Sequence, residues 1–204
     1  MAGKVFFDIT MSLDGFIAGP NDGPDNGLGD GGDQLHQWVY GLSAWRAPHG
    51  LEGGETNNDS EILEEALAAT GAVIVGRRMY DNAGGWGDDP PFKVPVFVLT
   101  HDRHDPIAKG ETTFTFVGGE VDRVLQQARE AANGKDVSIG GGASTVDQFL
   151  KAGLVDELQV HVAPIFLGDG VRLFEQLGPG IELERTRVVD SPGVTHMKFR
   201  VVKG

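Results

Sequence analysis

Three consecutive glycines stand at the end of a short apolar stretch and give the clearest chemical signal in the sequence. Gly140, Gly141 and Gly142 are followed by Ala143 and Ser144, where a helical pattern begins. Glycine lets the backbone approach a ligand closely, and the first N–H groups of a helix are free to bind a phosphate. A tight turn without a ligand is the alternative, although it needs fewer glycines. We expect a phosphate site here, with a spacing that differs from the G-x-G-x-x-G pattern of Rossmann folds.

Two further strand ends collect positive charge and hydrogen-bonding groups. Arg77 and Arg78 follow Gly76 at a strand-to-helix junction, and Thr100 and His101 end the next apolar stretch. Arginines at a helix N-terminus oppose the helix dipole, so a bound anion would explain their placement. Pairing with nearby acidic side chains is an equal alternative. Because the carboxyl ends of parallel strands share one edge of a sheet, we expect these groups to form a dinucleotide site with a phosphorylated ribose.

Apolar stretches that alternate with amphipathic segments predict the elements that position these groups. Strands are predicted at 5–11, 73–75, 96–100, 113–117, 137–139, 157–163, 182–189 and 194–202, and helices at 33–40, after 57–60, at 121–134 and at 143–153. This order predicts a single α/β domain over residues 1–204. Its central sheet is mostly parallel and covered on both faces, with an antiparallel C-terminal hairpin at one edge.

Two predictions concern local structure. The helix after 57–60 is expected to bury four side chains and to end at Gly71; the four are Ile62, Leu63, Ala66 and Leu67. The tract up to residue 32 is rich in Gly, Asn and Asp, so we expect a mobile surface loop that is too polar to pack.

Composition and charge argue against several classes of protein. The net charge is −13, which disfavours nonspecific binding to nucleic acid or to an anionic membrane surface. The absence of cysteine excludes disulfides, thiolate metal sites and thiol catalysis, and we expect no metal site. Asp8 interrupts the first apolar stretch, which is not typical of a signal peptide, and no run of about 18 apolar residues occurs. We expect a soluble, cytoplasmic protein.

The order of these motifs resembles the dihydrofolate reductase superfamily. The matching segments are 12–15, 73–77, 98–100 and 139–142. Residues 153–164 and then 168–170 resemble the reductase domain of the bifunctional riboflavin-biosynthesis proteins called RibD. The resemblance implies a dihydrofolate reductase-like three-layer sandwich and NADPH as the hydride donor.

The resemblance also implies which residues hold NADPH. Arg77 and His101, helped by Arg78, would bind the 2′-phosphate, and residues 140–144 would hold the pyrophosphate. The nicotinamide would lie against Thr10, Ile17 and Ala18, with the loop 13–32 as a lid. The complete set of implied cofactor residues is Thr10, Ile17, Ala18, Gly76, Arg77, Arg78, Thr100, His101, Gly140, Gly141, Gly142, Ala143 and Ser144. A cis peptide is expected at Gly140–Gly141.

Three residues are candidates for the substrate side, because the reduction of a C=N or C=O bond needs a proton as well as a hydride. Asp33 stands about where the folate enzyme keeps its substrate carboxylate, or it is only a helix cap. Asp14 matches the Ser-Leu-Asp-Gly motif of the riboflavin enzymes, or it belongs to an ordinary turn. His161 could donate a proton, or it is a satisfied strand histidine. Three of the six histidines, His36, His49 and His196, show no ligand-like clustering in the sequence.

The sequence also departs from both families. Ala143 replaces an arginine of the folate enzymes, Ile139 replaces a glutamate of the riboflavin enzymes, and the proline–tryptophan pair of the folate lid is missing. We expect an NADPH-dependent reductase of a small pyrimidine- or pteridine-like substrate, with 5-amino-6-(5-phosphoribosylamino)uracil as the named candidate. Dihydrofolate reductase activity and a catalytically silent nucleotide-binding module are the alternatives. A homodimer through the C-terminal strands is expected, because exposed sheet edges invite pairing.

Overall fold

A nine-stranded sheet runs through the centre of the molecule. The computed structural model describes residues 3–203, so Met1, Ala2 and Gly204 of the predicted domain lie outside it. The strands are β1 (Val5–Ser12), β2 (Phe16–Ala18), β3 (Thr70–Gly76), β4 (Val96–Leu99), β5 (Ile107–Lys109), β6 (Thr112–Val117), β7 (Asp136–Gly141), β8 (Glu157–Ala163), β9 (Val171–Arg172), β10 (Leu183–Ser191) and β11 (Val194–Val201). The strand order is β10-β11-β8-β1-β7-β3-β4-β6-β5, and β2 pairs separately with β9.

The sheet confirms the predicted α/β fold. Its six central strands, from β8 to β6, are parallel. The hairpin of β10 and β11 adds antiparallel strands at one edge, as predicted. The short β5 adds another antiparallel strand at the opposite edge, which the sequence analysis did not predict.

Helices cover both faces of the sheet and make the sandwich three-layered. They are α1 (Gln37–Tyr40), α2 (Ser43–Arg46), α3 (Asn58–Ala69), α4 (Arg77–Asn82), α5 (Val121–Ala131) and α6 (Ala143–Lys151). α5 and α6 pack on the face formed by Phe7, Ile74 and Ile139, which is the larger core. A smaller aromatic core with Tyr80 and Phe114 fills part of the other face. Within residues 3–203, no helix has the length and apolarity needed to cross a membrane.

The start of helix α3 agrees with the sequence analysis, but its end does not. Asn57 caps the helix by accepting hydrogen bonds from the N–H groups of Asp59 and Ser60 at 3.0 and 3.1 Å. Leu67 was expected to be buried and is 45% exposed. Gly71 does not end the helix, because the chain passes directly into β3 at Thr70.

The polar loop after β2 packs more tightly than the sequence analysis predicted. The Gly19 N–H donates to the Leu28 carbonyl at 2.8 Å, and the side-chain amides of Asn21 and Asn26 donate to Asp30. Gly29 has a φ of +70°, and a Cβ there would lie 2.2 Å from a backbone oxygen. The expectation of a loop too polar to pack was wrong, because the Asn and Asp side chains are satisfied within the loop itself.

Candidate functional site

A large cavity of about 1180 Å³ opens at the carboxyl ends of the parallel strands. Every residue that the family resemblance assigns to the cofactor, from Thr10 to Ser144, lines it. Of the three substrate-side candidates, His161 lines the cavity. Asp14 and Asp33 are not among its lining residues.

The glycines form one end of the cavity. Gly141 has a φ of +119°, a conformation that favours glycine. Gly142 immediately precedes α6, and a Cβ on Gly142 would meet no other atom within 4 Å. The cis peptide lies at Gly141–Gly142, one bond later than predicted, because β7 continues through Gly141, which pairs with Val75.

Both arginines at the start of α4 are paired with acidic side chains. Arg77 donates through Nε to Asp81 at 2.8 Å, and this hydrogen bond is the main reason why the pKa of Arg77 is raised. The Arg78 guanidinium lies 2.5 Å from the carboxylate of Asp22. Asp22 also accepts a hydrogen bond from Asn82, so it joins the polar loop to α4. Both arginines are therefore paired with acidic side chains, which is the alternative to a bound anion that the sequence left open. Both also line the cavity.

The opposite end of the cavity combines an acid with aromatic and imidazole rings. Its lining includes Asp8, Thr10, His36, Trp38 and His161. The Trp38 indole donates to the Thr10 hydroxyl at 3.3 Å, and its ring lies 4.9 Å from the His161 ring. This end therefore offers a flat apolar wall beside hydrogen-bonding groups, as a small heterocycle requires.

His161 is not isolated. Its Nε2 contacts the Asp8 carboxylate, and its Nδ1 lies 2.6 Å from Nδ1 of His196. His196, for which the sequence shows no ligand-like clustering, lies directly opposite His161, because β11 pairs with β8.

The two predicted carboxylates lie outside the cavity lining. Asp14 accepts hydrogen bonds from the Ser12 hydroxyl at 2.5 Å and from the N–H groups of Leu167 and Gly168. The Ser12 hydrogen bond is the main cause of the lowered pKa of Asp14. Asp33 is exposed in a 3₁₀ turn at 32–36 whose cap residue is Gly31. Neither carboxylate is brought into the cavity.

Sequence reasoning missed Asp8, His36 and His196 as site residues. Asp8 and Thr10 share one face of β1, as Gln159 and His161 share one face of β8. Polar residues at alternate positions of two otherwise apolar strands were the available signal for a polar site between them. No local pattern in the sequence indicates that β11 pairs with β8.

The family follows from comparison with known proteins. A family model described as "RibD C-terminal domain" matches residues 3–196. The chain belongs to the RibD C-terminal domain family. Two relatives from Bacillus subtilis are similar along most of their length. YyaP is 24% identical and aligns over 96% of this chain and 94% of its own, and YwjB is 25% identical over 87% and 86%. Both carry the name uncharacterized protein.

Solved structures share the fold of this RibD C-terminal domain. A riboflavin biosynthesis protein from Shewanella sp. PV-4 superposes with a TM-score of 0.70 at 23% identity, covering 100% of both chains. Dihydrofolate reductase from Enterococcus faecalis, solved with NADP(H), gives 0.61 at 14% identity and covers 100% of this chain and 99% of its own. The deaminase/reductase of Thermotoga maritima gives 0.61 at 14% identity, covering 98% of this chain and 57% of its own. The predicted family and fold are therefore confirmed.

Proposed function

We propose that the protein is an NADPH-dependent reductase that transfers a hydride to a small pyrimidine- or pteridine-like heterocycle. The observation that carries the proposal is a large cavity with two chemically different ends. One end has open backbone at Gly142 before α6, and the other has Asp8, Trp38 and His161. Membership of the RibD C-terminal domain family and the fold shared with an NADP(H)-bound dihydrofolate reductase support it.

The residues present fit this cofactor. Space for a pyrophosphate lies at Gly142, where the first N–H groups of α6 point toward the cavity end and favour negative charge. Arg77, Arg78 and His101 would hold a ribose phosphate. Thr10 and Ile17 would hold the nicotinamide. Bound NADPH supplies a hydride, while these residues bind and orient it and the cavity walls exclude water.

The lining charges favour a substrate without a phosphate group. Among the described lining residues the arginines are Arg77 and Arg78, which lie at the cofactor end, and no lysine lines the cavity. The substrate end instead carries the Asp8 carboxylate, which accepts hydrogen bonds from ring or amino N–H groups and repels a phosphate. The phosphoribosylaminouracil expected from the sequence thus receives less support than an unphosphorylated heterocycle such as dihydrofolate or 5-amino-6-ribosylaminouracil. Turnover of these three compounds with NADPH decides between them.

A catalytically silent nucleotide-binding module remains the other class of function. A silent module would explain the glycine end, but it gives no reason for a partly buried Asp8–His161 contact that faces the same cavity. Turnover of any of the three compounds separates an enzyme from a silent module, whereas nucleotide binding alone does not.

Removal of the Arg77 side chain is expected to weaken NADPH binding by about 1.5–3 kcal/mol and to leave NADH binding nearly unchanged. The guanidinium would contact the 2′-phosphate, which NADH lacks. Titration of tryptophan fluorescence with each nucleotide measures both affinities for the wild type and for Arg77→Ala. Arg129→Ala, an exposed arginine on α5 outside the cavity, is the matched control. Equal weakening of both nucleotides, or no binding of either by the wild type, would contradict the proposal.

We also propose a homodimer formed through β10. This strand is the last in the sheet order, so one of its edges is available to a second copy, and its Val188 side chain is 48% exposed. Sedimentation equilibrium is expected to give about twice the chain mass of 21.7 kDa. A mass equal to one chain would contradict this proposal without affecting the proposed reaction.

A further inference from the structure

Polar side chains form an unusual buried row between the sheet and α3. In the sheet, Thr10, His161 and His196 occupy directly paired positions on β1, β8 and β11. All three are at most 6% exposed. From the helix side, Asp59 of α3 reaches the same row. The burial of polar groups costs free energy unless each group is hydrogen-bonded, so the partners of these side chains must be identified.

Two histidines of this row and two carboxylates form one continuous line of contacts. We call it the Asp–His–His–Asp chain: Asp8, His161, His196 and Asp59. Asp8 contacts Nε2 of His161, the two Nδ1 atoms lie 2.6 Å apart, and Nε2 of His196 lies 3.1 Å from the Asp59 carboxylate. Asp8 and His161 line the cavity at one end of the chain.

The three contacts of the chain need three protons. Two neutral imidazoles carry one proton each, so with ionised carboxylates one contact would have none. If both protons point at the carboxylates, two lone pairs face each other between the imidazoles, which is repulsive at 2.6 Å. The geometry therefore requires one additional proton. An imidazole binds a proton more tightly than a carboxylate does, so the additional proton belongs to the His161–His196 pair.

The neighbours of both carboxylates support this distribution. The Gln159 amide donates to the second oxygen of Asp8 at 3.0 Å. Arg187, which can only donate, contacts the Gln159 carbonyl oxygen at 2.9 Å and thereby fixes the orientation of the amide. The Ser191 hydroxyl donates to the same Asp59 oxygen that lies near Nε2 of His196. Both carboxylates thus accept a hydrogen bond from a second side chain besides their imidazole.

Other titratable and charged groups also face the two imidazoles. Burial, followed by repulsion from His161, lowers the pKa of His196, while Asp59 and Asp8 oppose this shift. Burial and His161 also lower the pKa of His36, which Asp33 opposes. Arg187 and Lys198 face the row from β10 and β11 but are paired with Glu65 of α3. The Trp38 ring lies 4.9 and 5.1 Å from the two imidazoles and shields them from water.

We propose that the Asp–His–His–Asp chain stores and delivers the proton that completes the reduction. This inference rests on the proposed function. The substrate carbon accepts the hydride and its two electrons, NADPH becoming NADP⁺, while the π bond to the adjacent nitrogen or oxygen opens. That heteroatom takes the Nε2 proton of His161 through the ionised Asp8 carboxylate, which accepts this proton and passes it on. His161 then keeps the proton that it shared with Nδ1 of His196, and its Nε2 is reprotonated from solvent through Asp8, whose side chain is 17% exposed, after the product leaves.

In this scheme Asp8 is the catalytic residue, and His196 is a positioning residue that acts through His161. His196→Asn keeps a hydrogen-bonding group near Nδ1 of His161 but cannot carry the additional proton. We expect kcat to fall by about 100-fold, at the lower end of what acid catalysis contributes, with the affinity for NADPH unchanged. The solvent deuterium isotope effect on kcat is expected to increase, because proton transfer becomes rate-limiting. His49→Asn, at an exposed histidine outside the cavity, is the matched control.

A measurement on the ligand-free wild type tests the stored proton without any turnover. Nitrogen-15 NMR of labelled histidine is expected to show one positive charge shared by His161 and His196 at neutral pH. In Asp59→Asn, which keeps the shape of the helix start, the shared charge is expected to be lost at lower pH than in the wild type. Two neutral imidazoles in the wild type would overturn the inference even if a variant failed to fold.

The results of these experiments distinguish a failure of the proton chain from a failure of the proposed function. Normal NADPH-dependent turnover together with an unaffected His196→Asn variant overturns the proton chain alone. Failure of the wild type to bind NADPH and to reduce dihydrofolate or either ribosylaminouracil overturns the proposed function, and the catalytic role of the chain with it. A fall in kcat together with a shared charge in the NMR spectrum supports both.

Discussion

Replacement of Gly142 by alanine is expected to reduce NADPH-dependent turnover by about 100-fold, the effect of displacing a bound group by about 1 Å. A Cβ at this position meets no protein atom within 4 Å, so the protein tolerates it. The added methyl group would instead occupy space at the start of α6 that we assign to the pyrophosphate. The free energy of unfolding should fall by about 1 kcal/mol or less, because Gly142 is the N-cap of α6 and alanine is a poorer N-cap than glycine.

Steady-state kinetics and urea unfolding of the same preparation test this combination. Gly41→Ala is the matched control, because Gly41 also has open space around it and an ordinary φ of −82°, but lies outside the cavity lining. Unchanged turnover in Gly142→Ala would remove the glycine end from the proposed cofactor site. An equal loss in Gly41→Ala would show that the effect is not specific to the cavity.

Phe149→Ala is expected to lower the free energy of unfolding by about 3–5 kcal/mol. The Phe149 ring is fully buried on the inner side of α6, in the core that contains Phe7, Ile139 and Leu158. Truncation removes the transfer free energy of the ring and leaves a cavity that the surrounding strands cannot fill by moving. Urea unfolding followed by circular dichroism measures the change.

Leu67→Ala provides the comparison for the core substitution. Leu67 is also on a helix, but it is 45% exposed, so we expect a loss well below that of Phe149→Ala, at about 1 kcal/mol or less. Equal losses would mean that the packing described for α6 is wrong. A changed slope of free energy against urea would instead indicate an altered unfolded state.

The sequence predicted the parts of the fold that follow from local patterns. Short apolar runs such as 73–75 and 137–139 allow burial on both faces, and the structure shows them as central parallel strands. The residues assigned to the cofactor follow the ends of such strands, so topology brings them to one cavity. The family resemblance added NADPH, which no spacing in the sequence specifies.

The features that the sequence did not predict depend on contacts between distant segments. Leu67 follows the apolar spacing of a helix, but nothing in that spacing tells how far the sheet extends beneath the helix. His196 lies in an ordinary alternating strand, and only its pairing with β8 places it against His161. The polar loop after β2 is satisfied by its own Asn and Asp side chains, and hydrogen bonds of this kind leave no hydrophobic pattern.

The order in which the strands occur along the chain also orders the assembly of the site. The glycine end needs β3, β4, β7 and the start of α6, all of which precede residue 152. The proton-supplying end joins Asp8 to His161, 153 positions later, and then to His196, another 35 positions on. A chain emerging from the ribosome can therefore build the nucleotide half of the site first. Under the proposed function, reduction would also require β8 and β11, the later strands that bring His161 and His196 to Asp8.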